Sequence, residues 1–332
     1  MNFMFRLALL CFCMSLLPVS QNLKAEVFAN SDSAFDKDTF YNIGLSLNWY
    51  SQNREDFSDP VFLLNQKAQS FKADTYALDF KISSRFYKDA GVELTIPVIY
   101  KNSEIHYSPF YLSPVNKADI PKANLKGTGI GDITAVFKYR ALEYENLDLI
   151  LVAGFSIPGD DSPASDYSAE KTPLSMGLNS IITGLAFNFE SGSLFASAET
   201  NYHYYNGNAL SYLKVADGRT IFNGSTAPFD RFKNKALISF NISDKLSLKL
   251  KADFDLVFLP PLKSGSSWIA YSSTDRLNFL SAAPGISYAL SSHTFIEAGY
   301  FLAIIDDSAM NPFYSIMRRK LGLYCDLKFY SF

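Results

Sequence analysis

Charged side chains at alternate positions are the residues of this chain whose chemistry is easiest to interpret. The segment 246–259 alternates leucine, alanine and phenylalanine with four charged residues, Lys249, Lys251, Asp253 and Asp255. Successive residues of a β-strand point to opposite sides, so these four charges share one face. Such a face can line a water-filled passage and set its selectivity. Alternatively, its charges neutralise one another and fill the interior of a purely structural protein.

The same period of two places further polar side chains on the corresponding face of other segments. We predict that they line one interior together with the four residues above and contribute to a solute pathway: Asp79, Lys81, Arg85, Glu93, Asp132, Lys138, Arg140, Glu199, His203 and Glu297. Asp148, Asp326 and Lys328 fall on the same face. The predicted interior therefore carries both signs of charge.

Three histidines are the starting point for any enzymatic interpretation. His106 is predicted in a loop and His293 in a short turn, while His203 shares a strand face with Glu199. A Ser-His-carboxylate set needs its members within hydrogen-bond reach, and no motif of the sequence demands one. We interpret His203 and Glu199 as a hydrogen-bonded pair. No catalytic residue, metal site or cofactor is predicted, because no Cys/His cluster is present.

Twelve segments with this alternation predict twelve β-strands. The connections between them alternate between long and short along the whole chain. Pro284-Gly285 interrupts the alternation and predicts a bulge. The predicted strands are 40–50, 73–86, 91–100, 127–140, 147–157, 174–189, 193–205, 232–242, 246–259, 276–290, 294–305 and 317–332.

Alternating loop lengths distinguish a membrane barrel from a soluble sandwich. Outer-membrane barrels have an even number of antiparallel strands, short periplasmic turns and long extracellular loops. Turning the Lys249 face toward lipid would cost about 2–4 kcal/mol per lysine near the midplane, so the charges must point inward. The sequence predicts an all-β fold, a transmembrane antiparallel up-and-down barrel of about 12 strands in the bacterial outer membrane.

Aromatic residues at the ends of the predicted strands would form the girdles at the two membrane interfaces. The chain has 29 Phe and 20 Tyr, and aromatic residues make up 15% of it. The predicted girdle residues are Trp49, Tyr50, Tyr100, Tyr139, Tyr204, Tyr205, Phe258, Tyr300 and Tyr330. Away from the N-terminus no apolar run approaches the roughly 18–20 residues of a membrane helix, which excludes a helical membrane protein.

The N-terminus has the features of a secretory signal. Arg6 precedes an apolar stretch, and Ala25 or Ala29 offers a small residue for cleavage. We predict a signal peptide at 1–29, a periplasmic lead at 30–39 and the barrel at 40–332. Cleavage leaves Cys325 as the one cysteine, so no intramolecular disulfide can form. A net charge of −3 gives no basic footprint for nucleic acid.

Two glycine-rich motifs resemble those of the outer-membrane family labelled MetA-pathway of phenol degradation. The first contains Gly129, Gly131 and Asp132, and the second is Pro158-Gly159-Asp160 at the end of the next strand. The family has a proline-threonine-glycine-aspartate turn there, and this chain lacks the threonine. Gly322 and the terminal Phe332 also resemble an outer-membrane assembly signal.

This resemblance implies a channel or transporter that passes small, aromatic or otherwise poorly soluble compounds across the outer membrane. The implied partners are outer-membrane lipid, the barrel-assembly machinery, periplasmic chaperones and a small-molecule solute. Two alternatives stay open. One is a lipid hydrolase embedded in a barrel, and the other is a structural or adhesive barrel acting through its long loops 102–126 and 206–231.

Overall fold

A computed structural model describes most of the chain from Tyr41 onward. The described ranges are 41–58, 67–87, 89–107, 122–159, 174, 178–206, 210–214, 220–226, 229–258, 262–264, 267–269, 276–306 and 321–331. The predicted signal peptide, the predicted lead, Asp160 and Phe332 lie outside these residues. Within these ranges there is no helix long and apolar enough to span a membrane.

Seventeen β-strands make up the described structure. In chain order they are β1 Tyr41–Ser58, β2 Lys67–Tyr87, β3 Ala90–Tyr107, β4 Lys122–Ile130, β5 Ile133–Tyr144, β6 Leu147–Ile157, β7 Ser180–Ser191, β8 Leu194–Tyr205, β9 Leu210–Lys214, β10 Thr220–Thr226, β11 Phe229–Ser243, β12 Leu246–Phe258, β13 Leu262–Ser264, β14 Ser267–Ile269, β15 Arg276–Ser291, β16 Thr294–Asp306 and β17 Leu321–Ser331.

The large sheet closes on itself, with every pairing antiparallel. Its order is β2-β1-β17-β16-β15-β12-β11-β8-β7-β6-β5-β3-β4, and β2 also pairs with β3. β4 and β5 pair one after the other along β3, so they form one strand of the wall. The thirteen strands of the sheet therefore make a barrel wall of twelve strands. Closure leaves no unpaired edge in hydrocarbon, where each unsatisfied backbone group would cost several kcal/mol. The predicted fold class is confirmed.

The outer face of the barrel is apolar. Leu248 and Leu250 of β12 are exposed, and so are Ile238 and Phe240, which pair with them across β11. A soluble protein rarely exposes apolar patches of more than a few hundred Å², so a continuous apolar band requires lipid. Cys325 is exposed on this outer face.

The outward orientation predicted for the girdle aromatics is found for some of them and not for others. Exposed outward-facing residues are Tyr100, Tyr139, Tyr204, Phe258 and Tyr300. Tyr50, Tyr205 and Tyr330 are instead buried and point into the barrel. Each of these three directly adjoins an outward-facing residue, and the strict period of two turns it inward.

Placing a charge on the lipid face tests this orientation. Replacing Leu250, near the middle of β12, with arginine is expected to reduce the stability of the barrel by about 2–4 kcal/mol. The same change at Leu290, next to a periplasmic turn, should cost about 0–1 kcal/mol because the interface is close. Urea unfolding in lipid vesicles measures both. An equal loss of stability at the two positions would contradict the prediction that Leu250 lies deeper in the membrane than Leu290.

Several boundaries differ from those predicted. The predicted loops 206–231 and 260–275 contain β9, β10, β13 and β14, which form a separate four-stranded sheet in the order β14-β13-β10-β9. Strands of three to seven residues show too little alternation for the period of two to reveal them. The sixth wall strand, predicted from 174, begins at Ser180, and Leu174 before it is buried.

The predicted bulge at Pro284-Gly285 is wrong. Both residues stay in register with β12. The two irregularities of β15 against β16 lie between Leu280 and Ser281 and between Ala289 and Ser291. Pro284 faces lipid opposite Leu250. Gly285 faces inward, and its lack of a side chain makes room for the ring of Tyr324.

The bulge occurs instead at the predicted fourth strand, which is broken at Gly131. Thr95 pairs with Thr134 and Val98 with Ile130, so two residues of β3 oppose three on the other side. Gly131 donates its N–H to the carbonyl oxygen of Pro97 at 2.8 Å. The extra residue shifts the alternation of side chains between the two faces by one position. Ile130 and Ile133 therefore both point to the outer face.

Candidate functional site

Charged side chains form a belt around the middle of the barrel lumen, and we call it the charged belt. Its members come from eight strands and are Asp79, Lys81, Glu93, Lys138, Glu199, Lys235, Lys249, Lys251, Asp253, Glu297, Asp326 and Lys328. Each stands at an inward position, because its register partners alternate with the exposed apolar residues.

Glu297 of β16 is the centre of one half of the belt. Its carboxylate lies 3.0 Å from the Nζ of Lys249, 2.5 Å from that of Lys251 and 3.3 Å from that of Lys328. The hydroxyl of Tyr324 donates to it at 3.1 Å. Side-chain exposure is 0% for Lys249 and 1% for Glu297. Three cations and a phenol therefore converge on one carboxylate that water does not reach.

The network continues across the seam where the last strand meets the first. Lys251 also lies 3.3 Å from Asp326 of β17. Asp326 accepts a hydrogen bond from the hydroxyl of Ser46 on β1. Asn48 donates to the Oγ of Ser46 at 3.2 Å and to Asp79 on β2 at 3.0 Å. One chain of polar contacts thus joins β12 to β2 through the seam.

Glu93 of β3 is the centre of the other half. It lies 3.1 Å from the Nζ of Lys81 and 2.9 Å from that of Lys138. Lys138 also lies 3.8 Å from Glu199 of β8, although β6 and β7 separate their strands. This ion pair therefore passes over the inward faces of two strands.

The residues beneath this ion pair are small or apolar. Val152 of β6 is paired with Lys138, and Ala186 of β7 is paired with Glu199. Both are buried, and they pack with Ile150 and Val136 in one cluster. The sequence pattern predicted a lumen of mixed charge throughout, and it missed this apolar strip because the strip is short on each strand. The ion pair of Lys138 and Glu199 covers part of the strip.

Basic residues of β11 complete the ring and were missed from the sequence. Lys235 pairs in register with Glu199 on one side and with Asp253 on the other. Lys233 and Arg231 follow at the next inward positions toward the outer mouth. Only Arg231 lies before the predicted strand 232–242. Lys233 and Lys235 lie within that strand, and its alternation placed them on one face, but they were not assigned to the lumen.

Two glycines allow Tyr324 to lie flat against the wall. A Cβ at Gly285 would come within 2.1 Å of the Tyr324 hydroxyl, and one at Gly299 within 2.5 Å of its ring. The Nζ of Lys251 lies 4.7 Å from the centroid of the same ring, which is within the range of a cation–π contact. Tyr324 therefore packs against the two glycines and also positions Glu297.

Aromatic rings line the outer part of the lumen. Tyr205 stacks on Phe229 with ring centroids 4.6 Å apart and on His203 at 6.0 Å. Arg231 lies beside them and forms an ion pair with Asp255 at 2.6 Å. All except Asp255 are buried.

The predicted pair of His203 with Glu199 is wrong. His203 stacks on Tyr205, and its Nδ1 accepts no hydrogen bond from any described residue. Glu199 instead accepts a hydrogen bond from Asn201. His203 and Tyr205 are two residues apart on one strand face, and ring stacking turns the imidazole away from the carboxylate. The hydrolase alternative therefore lacks a His-carboxylate pair at this position.

Arg85 and Arg140 lie at the periplasmic end of the lumen. Arg140 is buried and pairs with Glu143 at 3.1 Å, and Arg85 is half-buried near the end of β2. His106, predicted in a loop, belongs to β3, whereas His293 is in a turn as predicted. No group of three or more His, Cys, Asp or Glu among the described residues is arranged to hold a metal ion.

The two glycine motifs meet at the outer end of the wall. Gly159 donates its N–H to the carbonyl oxygen of Gly131 at 3.1 Å, and a Cβ on Gly159 would lie 2.3 Å from that oxygen. Gly129 pairs with Ile99, Pro158 follows β6, and Asp132 is half-buried in the bulge. Gly322 has no room for a side chain against Trp49 and Tyr50 of β1.

Comparison with known proteins bears on the fold. No protein-family model matches the sequence, and no curated protein matches it. Among solved structures, the COG4313 outer membrane channel from Pseudomonas putida F1 is similar, with a TM-score of 0.58 and 10% identity over 90% of this chain and 98% of that one. The transport unit of the autotransporter AIDA-I from Escherichia coli has a TM-score of 0.50 and 12% identity, covering 92% and 96% respectively.

At such low identity the likeness concerns the fold alone. The described part of the chain has the closed wall and the apolar outer band that an outer-membrane barrel requires. The protein is a twelve-stranded β-barrel of the bacterial outer membrane.

Proposed function

We propose that the protein is an outer-membrane channel that passes small solutes through the charged belt. One observation carries this proposal: charged side chains in the middle of the lumen are open to solvent. The side chain of Lys81 is 45% exposed, and Lys235 is exposed as well. A barrel whose interior served only as a structural core would bury these groups or pair them completely.

We further propose that the solutes include small aromatic or poorly soluble compounds. The resemblance of the glycine motifs supports this class of solute. In this proposal the inward-facing residues named in the sequence analysis line the pathway of the solute.

Conductance measures the passage directly. Purified, folded protein inserted into a planar lipid bilayer should give discrete conductance steps in KCl, and vesicles containing it should swell in catechol and glycerol. Heat-unfolded protein from the same preparation is the matched control. A folded barrel that neither conducts nor supports swelling would exclude the channel.

A further inference from the structure

We propose that Lys81 and Lys235 form an anion-binding constriction that selects small organic anions, above all carboxylates. This inference rests on the proposed channel function and adds the substrate class.

The two lysines project from opposite sides of the lumen. Lys81 lies on β2 and Lys235 on β11. In the closed order of twelve wall strands, β11 is six positions from β2 in either direction. Lysine has a long, flexible side chain, so each can extend toward the axis of the lumen.

Despite this separation, the two side chains act on the same groups. The Nζ of Lys81 lies 3.1 Å from Glu93, and Lys235 is close enough to interact electrostatically with Glu93 and with Lys81 itself. The lumen is therefore narrow at this level. A solute that passes must come close to both ammonium groups.

The charges that a solute meets there are predominantly positive. Among the charged residues of the belt, only Lys81 and Lys235 are exposed, and the others are buried or half-buried. The neighbouring carboxylates are half-buried and already bind donors: Glu93 binds Lys81 and Lys138, and Glu199 binds Lys138 and Asn201. Asp253 lies beside Lys235 in the ladder and is half-buried, with no ion pair to it in the described part of the chain.

Further basic residues lead from the outer mouth to the constriction. Arg231 and Lys233 occupy the two inward positions of β11 that precede Lys235. Arg231 is paired with Asp255, whereas Lys233 has no ion pair to a described residue. A ladder of cations along one wall raises the local concentration of anions and guides them inward. A carboxylate that reaches the constriction can accept hydrogen bonds from both ammonium groups.

Reversal potentials test the constriction. In a KCl gradient across a planar bilayer, the wild-type full-length protein should pass chloride in preference to potassium. The double variant K81Q/K235Q should lose this preference severalfold. The conservative variant K81R/K235R should retain it. K245Q, in an exposed periplasmic turn, is the matched control and should behave like wild type.

Benzoate identifies the solute class. Added to the outer side, it should reduce the chloride current of the wild type and of K245Q, whereas benzyl alcohol, its uncharged counterpart, should not. The block should disappear in K81Q/K235Q. A wild-type channel that prefers potassium to chloride would overturn the inference. So would a K81Q/K235Q variant that keeps both the preference for chloride and the block by benzoate. Heat-modifiable gel mobility shows that each variant is folded, and a folded protein without any conductance would refute the channel itself.

Discussion

Replacing Glu297 with alanine is expected to destabilise the barrel by about 3–5 kcal/mol, the typical cost of removing one partner from a buried ion pair. Lys249, Lys251 and Lys328 all lie within 3.3 Å of its carboxylate. Without it, three ammonium groups would repel one another, and Lys249, at 0% exposure, could not recover its hydration. The change is large because a single carboxylate offsets several charges.

Urea unfolding of the protein in detergent, followed by heat-modifiable gel mobility, measures this effect. Glu143→Ala is the matched control, since this carboxylate also binds a buried cation, Arg140, but is itself 39% exposed. Glu143→Ala should lower the free energy of unfolding by less than half as much as Glu297→Ala does. Glu297→Gln should fall between wild type and alanine, because the amide oxygen still accepts hydrogen bonds. Unchanged unfolding of Glu297→Ala would show that water enters the cluster and hydrates the lysines.

Substituting Gly285 with alanine is expected to cost about 1–3 kcal/mol, the usual penalty for overpacking. The new methyl group would lie 2.1 Å from the hydroxyl of Tyr324 and 2.9 Å from the carbonyl oxygen of Ala298. The ring must move away, and it then loses its hydrogen bond to Glu297. Part of the cost thus comes from the clash and part from the weakened cluster.

A double-mutant cycle separates these two contributions. Tyr324→Leu removes the hydroxyl and the ring, so Gly285→Ala should cost less in that background than in wild type. The non-additivity should be about 0.5–3 kcal/mol, as for other residues in direct contact. Ala298 lies on the lipid side next to Gly299, and Ala298→Val is a control that should be additive with Tyr324→Leu. Additive costs for Gly285→Ala and Tyr324→Leu would show that the backbone contact, and not the tyrosine, requires glycine.

The wall of the barrel could be predicted from the sequence because its physical cause is local. Lipid and water impose opposite demands on the two faces, and this yields a period of two in segments such as 246–258. The short turns at 87–90 and 243–246 then fix the antiparallel order. By contrast, β9, β10, β13 and β14 form a sheet separate from the wall and are too short to show such a pattern.

The contacts inside the lumen could not be predicted, because they depend on how the closed wall brings distant strands together. The sequence placed Lys138 and Glu199 on inward faces, but their approach across β6 and β7 depends on the small side chains of the intervening strands. The same limit applies to Tyr324, whose position depends on glycines in two other strands. His203 was assigned to Glu199 from spacing alone, whereas the observed stack involves its neighbour Tyr205.

The seam between β1 and β17 determines when the barrel can finish folding. The hydrogen bond from Ser46 to Asp326 joins residues 280 positions apart. Closing a loop of this length costs on the order of 5 kcal/mol of chain entropy. Until the last strand arrives, Lys251 lacks Asp326, and Glu297 lacks Lys328 and Tyr324. A chain without its last strand thus has incompletely paired charges in the lumen as well as an open sheet edge. Stable insertion into the membrane therefore depends on the arrival of the C-terminal strand.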